Sequence, residues 1–300
     1  MSEQDAAYRH VPVLLQPAVE HLITDPDGVY VDVTFGGGGH SREILTRLGP
    51  KGKLFAFDRD RVVLGHVPED PRFEMVISDF RYLKKYMDYY KMEKLNGILA
   101  DLGLSSHHID EADRGFSIYS DQPLDMRMNT RQSKTAWEVL MNYPEARLES
   151  VLKTYGELTN ARRMAAQWVQ DRNRKPINSC KAFAQWAESF AYGKRVKFLA
   201  QVFQALRIEV NGEIDALREL LRQSAALLAP GGRMVVLSYH SLEDRLVKQW
   251  FKSGDPENES GQTVPAPFAS MYKQALVPDD SEIAFNSRAR SAKLRIGIKQ

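Results

Sequence analysis

Val29-Tyr-Val-Asp-Val-Thr-Phe-Gly-Gly-Gly-Gly-His40 decides how the rest of the chain is read. An apolar, β-rich run ends in an acid, and four consecutive glycines lead into a helix-like segment that opens at His40. Strand, glycine turn, helix is the arrangement by which an α/β fold makes room for a nucleotide at the carboxyl edge of its first strand. Glycine lets the backbone bend freely and lets a ligand approach the main chain with no Cβ in the way. The competing reading is a plain tight turn in an unrelated α/β protein.

Two nucleotide fingerprints fail here. Gly-x-Gly-x-x-Gly needs its third glycine where Ser41 stands if counted from Gly36, or Arg42 if counted from Gly37. A phosphate-binding P-loop needs Gly-Lys-Ser/Thr at its end, and that is missing too. What is left is Asp32 at one strand end, the glycine loop, and Asp58 closing the next run, Lys53-Leu-Phe-Ala-Phe-Asp58. An acid at the end of the second strand accepts hydrogen bonds from ribose hydroxyls. A cofactor with an adenosine but no pyrophosphate suits such a site, and S-adenosylmethionine is the common one.

Outward from this stretch the pattern alternates. Leu14 to Ile23 reads as a short helix, His40–Leu48 as another, Phe73–Ser78 as a third strand, Tyr82–Tyr90 as a helix and Gly97-Ile-Leu-Ala-Asp101 as a fourth strand. This βαβα order predicts a doubly wound, mostly parallel sheet with helices on both faces. The alternation then stops. Thr135–Asn142, Glu145–Tyr155, Ala161–Arg172, Lys181–Ala191 and Val196–Val210 carry apolar residues at three- and four-residue spacings, with almost no strand signal between them. A helix over Gly212–Leu228, a Pro230-Gly-Gly232 turn and a fifth strand, Arg233–Ser238, resume the first pattern. A helix to about Lys252, a loop over 254–268 and a last strand over Ala292–Lys299 complete it. The expected domains are therefore a nucleotide-binding core, residues 1–111 with 211–300, and an all-helical insertion after strand four, residues 112–210.

Composition is ordinary for a globular chain of 300 residues, 43% hydrophobic and 27% charged. No apolar run approaches the length of a membrane span. The polar start Met1-Ser-Glu-Gln-Asp5 does not resemble a signal peptide, and Cys180, the single cysteine, fits a reducing cytosol. The formal charge of +2 hides an asymmetry. Between Arg114 and Val210 stand 16 lysines and arginines against 9 acids, a net of +7, while the remainder carries −5. Segregated positive charge suits a polyanionic partner, and a solvated helical surface is the alternative.

The chemistry-bearing residues cluster at predicted strand ends. Asp101-Leu-Gly-Leu-Ser-Ser-His-His108 lies where the reactive end of a cofactor is expected. Transfer to nitrogen needs a proton acceptor, close backbone approach and a slot for a flat group. Asp101 supplies the first, Gly103 the second, and Ser105 and Ser106 small polar groups. His107, His108, Asp110, Glu111 and Asp113 match no zinc spacing, so no metal is expected. His240, after strand five, either touches substrate or caps the next helix with Ser241. Arg114-Gly-Phe-Ser117 and Pro123-Leu-Asp-Met-Arg-Met128 read as loops near the site, offering Arg114, Asp125 and Arg127 to a substrate. Arg162, Arg163, Arg172, Arg174 and Lys175 are candidates for phosphates. Trp168 and Trp186 sit at helical spacing and read as core.

Taken with His10-Val-Pro-Val-Leu-Leu15, Phe57-Asp-Arg-Asp60, Phe203-Gln-Ala-Leu-Arg-Ile208, His240-Ser-Leu-Glu-Asp-Arg245 and Arg288-Ala-Arg-Ser291, these stretches give the chain a resemblance to the MraW-like family of ribosomal RNA small-subunit methyltransferases. The pieces keep the family's order over nearly the whole length. The resemblance implies a class I methyltransferase core with an inserted helical substrate-recognition domain. It also implies S-adenosylmethionine-dependent methylation of the exocyclic N4 of a cytidine in the decoding centre of 16S ribosomal RNA. Cofactor contacts carry over to Gly38, Gly39, His40, Asp58, Phe80, Asp101 and His108. The chain departs from the family's pattern at His108, at Gln201-Val202 and at Leu158. The expected partner is 16S ribosomal RNA in the small ribosomal subunit, in the cytoplasm, and the sequence leaves monomer or homodimer open. Two rivals are a non-catalytic RNA-binding protein on the same scaffold and a nicotinamide-dependent dehydrogenase, the latter disfavoured by the broken fingerprint.

Overall fold

The computed structural model describes residues 12–104, 112–174, 177–255 and 265–300. The chain divides into two compact units, Met1–Gly103 with Ile214–Gln300, and Leu104–Glu213. Helices α1 (Leu15–Leu22), α2 (Gly39–Arg47) and α3 (Leu83–Tyr89) come before the second unit. It carries α4 (Ala136–Asn142), α5 (Glu145–Gly156), α6 (Ala161–Asp171), α7 (Cys180–Glu188) and α8 (Arg195–Asn211). Helices α9 (Glu213–Leu227), α10 (Ser241–Ser253) and α11 (Asp280–Phe285) follow.

The strands of the first unit are β1 (Val29–Asp32), β2 (Lys53–Asp58), β3 (Phe73–Ile77), β4 (Leu95–Asp101), β5 (Leu228–Ser238), β6 (Phe268–Ser270) and β7 (Lys293–Lys299). They form one sheet in the order β3-β2-β1-β4-β5-β7-β6. Strands β1 to β5 are mutually parallel, and β7 runs antiparallel to both β5 and β6. Tyr30, Val31, Leu54, Phe57, Ile98 and Leu99 are buried in the central strands, the near-continuous apolar runs that a sheet covered on both faces requires. Strand order reverses at β1, which has β2 on one side and β4 on the other. A crevice therefore opens outside the carboxyl ends of these strands. The acids Asp32, Asp58 and Asp101 are the last residues of β1, β2 and β4.

Three local features differ from the sequence reading. Pro230-Gly-Gly232 is not a turn ahead of a strand but an irregularity inside one. Leu228 already pairs with Leu95, pairing resumes at Gly97 with Arg233, and Gly231 takes φ 79° in the excursion between them. Strand β6 was not expected; its three residues are too short to show periodicity and are defined only by pairing with β7. Helix α11 is opened by Asp279, whose side chain accepts from the Glu282 N–H at 2.8 Å. Most of the segment read as a loop before β6, residues 256–264, lies outside the described residues.

In the second unit the apolar faces of α4 to α8 close over one core. Trp168 sits edge-on to Phe183 at 5.2 Å and to Trp186 at 4.8 Å, and its Nε1 donates to the Leu140 carbonyl at 2.7 Å. Both tryptophans are therefore packing groups with satisfied N–H donors, since Trp186 Nε1 reaches Asp171 Oδ2 at 2.9 Å. Thr135 and Glu138 form a reciprocal cap at the start of α4. Cys180 is buried, its thiol hydrogen-bonds the Gly115 carbonyl at 3.3 Å, and burial pushes it up to about 11. It stays a thiol at physiological pH. Among the described residues no helix is long and apolar enough to cross a membrane.

Candidate active site

The end of β1 is fastened to the start of α2 through one carboxylate. Asp32 is buried; its Oδ1 accepts from the Thr34 N–H at 3.0 Å and its Oδ2 from Ser41 Oγ at 2.7 Å. Burial raises its affinity for a proton, opposed by the neighbouring His40 and by these hydrogen bonds. Thr34 Oγ1 in turn accepts from the Asp101 N–H at 2.6 Å, which ties the end of β4 to the same corner. The two strand ends that flank the crevice are held in register by a chain of side-chain contacts from Ser41 to Asp101.

Asp101 carries a strongly perturbed carboxyl. Burial pushes it up to about 7, the Tyr239 hydroxyl pulls it down, and the charge of Glu243 adds to the rise. Tyr239 Oη donates to Oδ1 at 2.7 Å. The other oxygen, Oδ2, lies 3.6 Å from His40 Nδ1, beyond hydrogen-bond length. His40 is itself buried, and burial lowers it below its ordinary value, so the ring is neutral at physiological pH. The Asp101 side chain keeps 24% of its surface accessible, so this carboxyl is open to an incoming group on one side.

The glycine turn is tight at two positions and open at a third. Gly38 takes φ 75°, and a Cβ there would meet the Phe35 ring at 2.7 Å, so both its backbone and its surroundings require glycine. No heavy atom comes within 4 Å of where a Cβ on Gly37 would stand. A Cβ on Gly39 would run into the Pro12 ring. The Asp58 carboxylate, at the end of the adjacent strand, is oriented by the N–H groups of Gly36 (2.9 Å to Oδ2) and Asp60 (2.9 Å to Oδ1). The open backbone at Gly37, next to the fixed Asp58 carboxyl at a strand end, fits an adenosyl group whose ribose hydroxyls reach Asp58. Phe80 is buried in a 3-10 turn just after β3, with the Arg59 guanidinium 5.7 Å from its ring centre. Together Gly38, Gly39, His40, Asp58, Phe80 and Asp101 all belong to this one unit.

The remaining expected site residues are placed differently. Ser105, Ser106 and His108, with most of the histidine–acid cluster around them, lie outside the described residues. His240 is the N-cap of α10. The Glu243 N–H donates to its Nδ1 at 3.4 Å, and its Nε2 stands 3.2 Å from Glu243 Oε1. Its ring is thus engaged with the helix start. Arg127 forks onto Asp125, Nε to Oδ1 at 2.8 Å and Nη2 to Oδ2 at 2.7 Å, and its Nη1 donates to the carbonyls of Thr130 and Gln132. Arg114 Nη2 donates to the carbonyls of Arg127 and Met128. These three residues form a staple around one loop of the helical unit. Gly115 sits inside it at φ 73°, where a Cβ would come within 2.5 Å of the Pro123 carbonyl. Arg162 and Arg163 are exposed at the start of α6.

Tyr239, Thr34 and Ser41 are the residues that sequence reasoning passed over. Register supplies the missing signal for Tyr239. Leu237 pairs with Asp101, so the residue two beyond it along the chain shares its side of the sheet and lies next to the β4 end.

Comparison with known proteins shows the family. The model of the MraW methylase family matches residues 7–300. A ribosomal RNA small subunit methyltransferase H of Parabacteroides distasonis is 51% identical, with all of this chain and all of that protein aligned. Proteins of the same description from Bacteroides thetaiotaomicron (47% identical, 99% of this chain and 100% of that one) and Flavobacterium johnsoniae (48%, 97% of each) are similar. With the family model covering nearly the whole sequence, the chain belongs to the MraW methylase family and is an S-adenosylmethionine-dependent methyltransferase with a class I α/β core.

Proposed function

We propose that this enzyme methylates the exocyclic N4 of a cytidine in the decoding centre of 16S ribosomal RNA, acting on the small ribosomal subunit. Support for the RNA comes from the relatives described as ribosomal RNA small subunit methyltransferases. Support for an amino nitrogen rests on one observation, the half-open Asp101 carboxyl held by Tyr239 at the end of β4. The bound cofactor supplies an electrophilic sulfonium methyl. The lone pair of a cytosine amine is delocalised into the ring, and its proton becomes acidic only as the new N–C bond forms. A proton acceptor in contact suffices, and a strong base is not needed. With Oδ1 occupied by the Tyr239 hydroxyl, Oδ2 is the atom that receives the proton. A carboxyl near 7 is poised for this at physiological pH.

An anionic group pressed on the methyl donor would stabilise the ground state more than the transition state, so alignment carries most of the acceleration. Correct positioning supplies roughly 7–11 kcal/mol in favourable cases. The target base has to leave its stack to reach a strand-end crevice, and the helical unit, with its net positive charge, takes the role of substrate-recognition domain. The deciding experiment supplies cofactor with a labelled methyl to naked 16S RNA and to assembled small subunits, then digests the product to nucleosides. Label in N4-methylcytidine is the expected result. Label on a ring carbon or a ribose refutes the nitrogen assignment, and unlabelled RNA refutes the substrate.

A further inference from the structure

The helical unit has a cleft of about 230 Å³ between the turn joining α5 to α6 and the segment leading into α8. Its walls are tied together by side chains. Asn160 Nδ2 donates to the Phe190 carbonyl at 2.7 Å, and Gln201 Nε2 donates to the Gly156 carbonyl at 3.1 Å. Lys194, Lys197 and Tyr192 line it, with Glu157 the acid among the lining residues. Tyr192 is 69% exposed, yet its hydroxyl is anchored, accepting from Arg163 Nη1 at 3.0 Å. The Arg163 guanidinium is itself 5.6 Å from the Phe190 ring centre. Arg162 is exposed beside it, and Arg195 pairs with Glu188 at 3.0 Å.

A solvated helix face is the ordinary explanation for such charges, and two features exceed it. An exposed, anchored tyrosine contributes nothing to solubility. The cations Arg162, Arg163, Arg195 and Lys197 also occupy the first turns of α6 and α8, neither of which holds an acid there. A cation in a first helical turn opposes the helix dipole. Positive charge kept where it opposes stability, beside a cleft that Lys194, Lys197 and the Tyr192 ring line, matches a chain of phosphates whose bases are unstacked and free to lie on a ring.

We propose that this cleft is a docking surface for single-stranded RNA, with phosphates on Lys194 and Lys197 and a base on the Tyr192 ring. The proposal rests on the reading that the enzyme acts on ribosomal RNA, and it identifies where the helical unit holds a strand of it.

The test is fluorescence anisotropy of the full chain with a short labelled oligouridylate, titrated over a range of monovalent salt. Lys194→Ala with Lys197→Ala lowers affinity and flattens the slope of log K against log salt by roughly 0.7 for each phosphate no longer neutralised. Tyr192→Ala weakens binding by roughly 5- to 150-fold at an unchanged slope, and Tyr192→Phe keeps the ring and most of the affinity. A far-ultraviolet circular dichroism spectrum and melting midpoint matching wild type show that each variant is folded. Wild-type affinity and slope in the double lysine variant and in Tyr192→Ala overturn the cleft. Methylation of small subunits by the wild-type protein, run in parallel, separates the two ideas. Normal methylation alongside unaffected variants removes the cleft alone, and a wild-type protein that neither binds nor methylates RNA removes both.

Discussion

Asp101 and Asp125, one in each unit, are pushed in opposite directions. At the end of β4, burial raises Asp101 to about 7, and its nearest hydrogen-bond partner is a neutral phenol. In the helical unit burial also works to raise Asp125, but the Arg127 fork, with the charges of Arg127 and Arg114, outweighs it and holds the carboxyl below its ordinary value. The difference separates a carboxylate that organises a loop from one whose charge is left uncompensated at a crevice. A structural carboxylate is matched by a cation, whereas one that must take and release a proton is kept without one. The two also respond oppositely to acid. Asp101 binds its proton more tightly folded than unfolded, so its contribution to stability falls as pH rises from about 4 to 7. Asp125 binds its proton less tightly folded, so its contribution is present above the unfolded value and is lost as pH falls through the folded one.

Asp101→Ala is the severest test of that contrast. Loss of a positioned proton acceptor lowers kcat by roughly 10²- to 10⁴-fold, with cofactor affinity retained in calorimetry. Near-normal turnover on small subunits would make Asp101 no more catalytic than Asp125. Asp101→Asn sharpens the same point through stability. It mimics the protonated carboxyl, so at pH 8 the variant melts above wild type, and the two converge only as pH falls below about 4.

Asp125→Ala leaves Arg127 without its carboxylate and costs about 2 kcal/mol, the range for hydrogen bonds to charged groups. The denaturant midpoint falls while the pH dependence of methylation keeps its shape. A displaced pH profile would mean that the Asp125 staple bears on the chemistry and that the division drawn between the two carboxylates is wrong. Asp58→Ala comes next in size, a loss of roughly tenfold in S-adenosylmethionine affinity. Part of that loss comes from the Gly36 and Asp60 N–H groups, which lose their acceptor. Equal affinity by calorimetry would take the ribose away from Asp58.

How far the sequence could be read followed the range of the interactions. Asp32, the glycine run and Asp58 were legible because strand, turn and helix are local, and an apolar run that ends in an acid is visible without knowing its neighbours. Asp101 was legible for the same reason. Tyr239 was not, since it meets Asp101 across 138 residues and only the pairing of β4 with β5 brings them together. Its neighbour His240 looked the better candidate in sequence, yet that ring is engaged in the cap of α10. Arg114 and Arg127 looked like groups offered to a substrate because a sequence does not show which donors the nearby backbone will consume. The irregularity at Pro230–Gly232 and the three residues of β6 are too short to carry a period, and only their partners across the sheet define them.

Tyr239→Phe is the smallest and most discriminating change. The phenol donates to Oδ1 and favours the ionised carboxylate, so its removal lets burial raise Asp101 further. One hydrogen bond to a charged group corresponds to about one pH unit. The acidic limb of kcat/KM therefore moves up by up to about that much, lowering the rate a few-fold at pH 7 and hardly at all at pH 9. A purely structural tyrosine would lower the rate equally at both values. Because Phe keeps the ring that packs against Gly103, where a Cβ would meet it at 3.2 Å, the fold is retained. A limb displaced downward, or not at all, would show that the hydroxyl does not govern the proton on Asp101, and the contrast with the arginine-paired Asp125 would lose its clearest consequence.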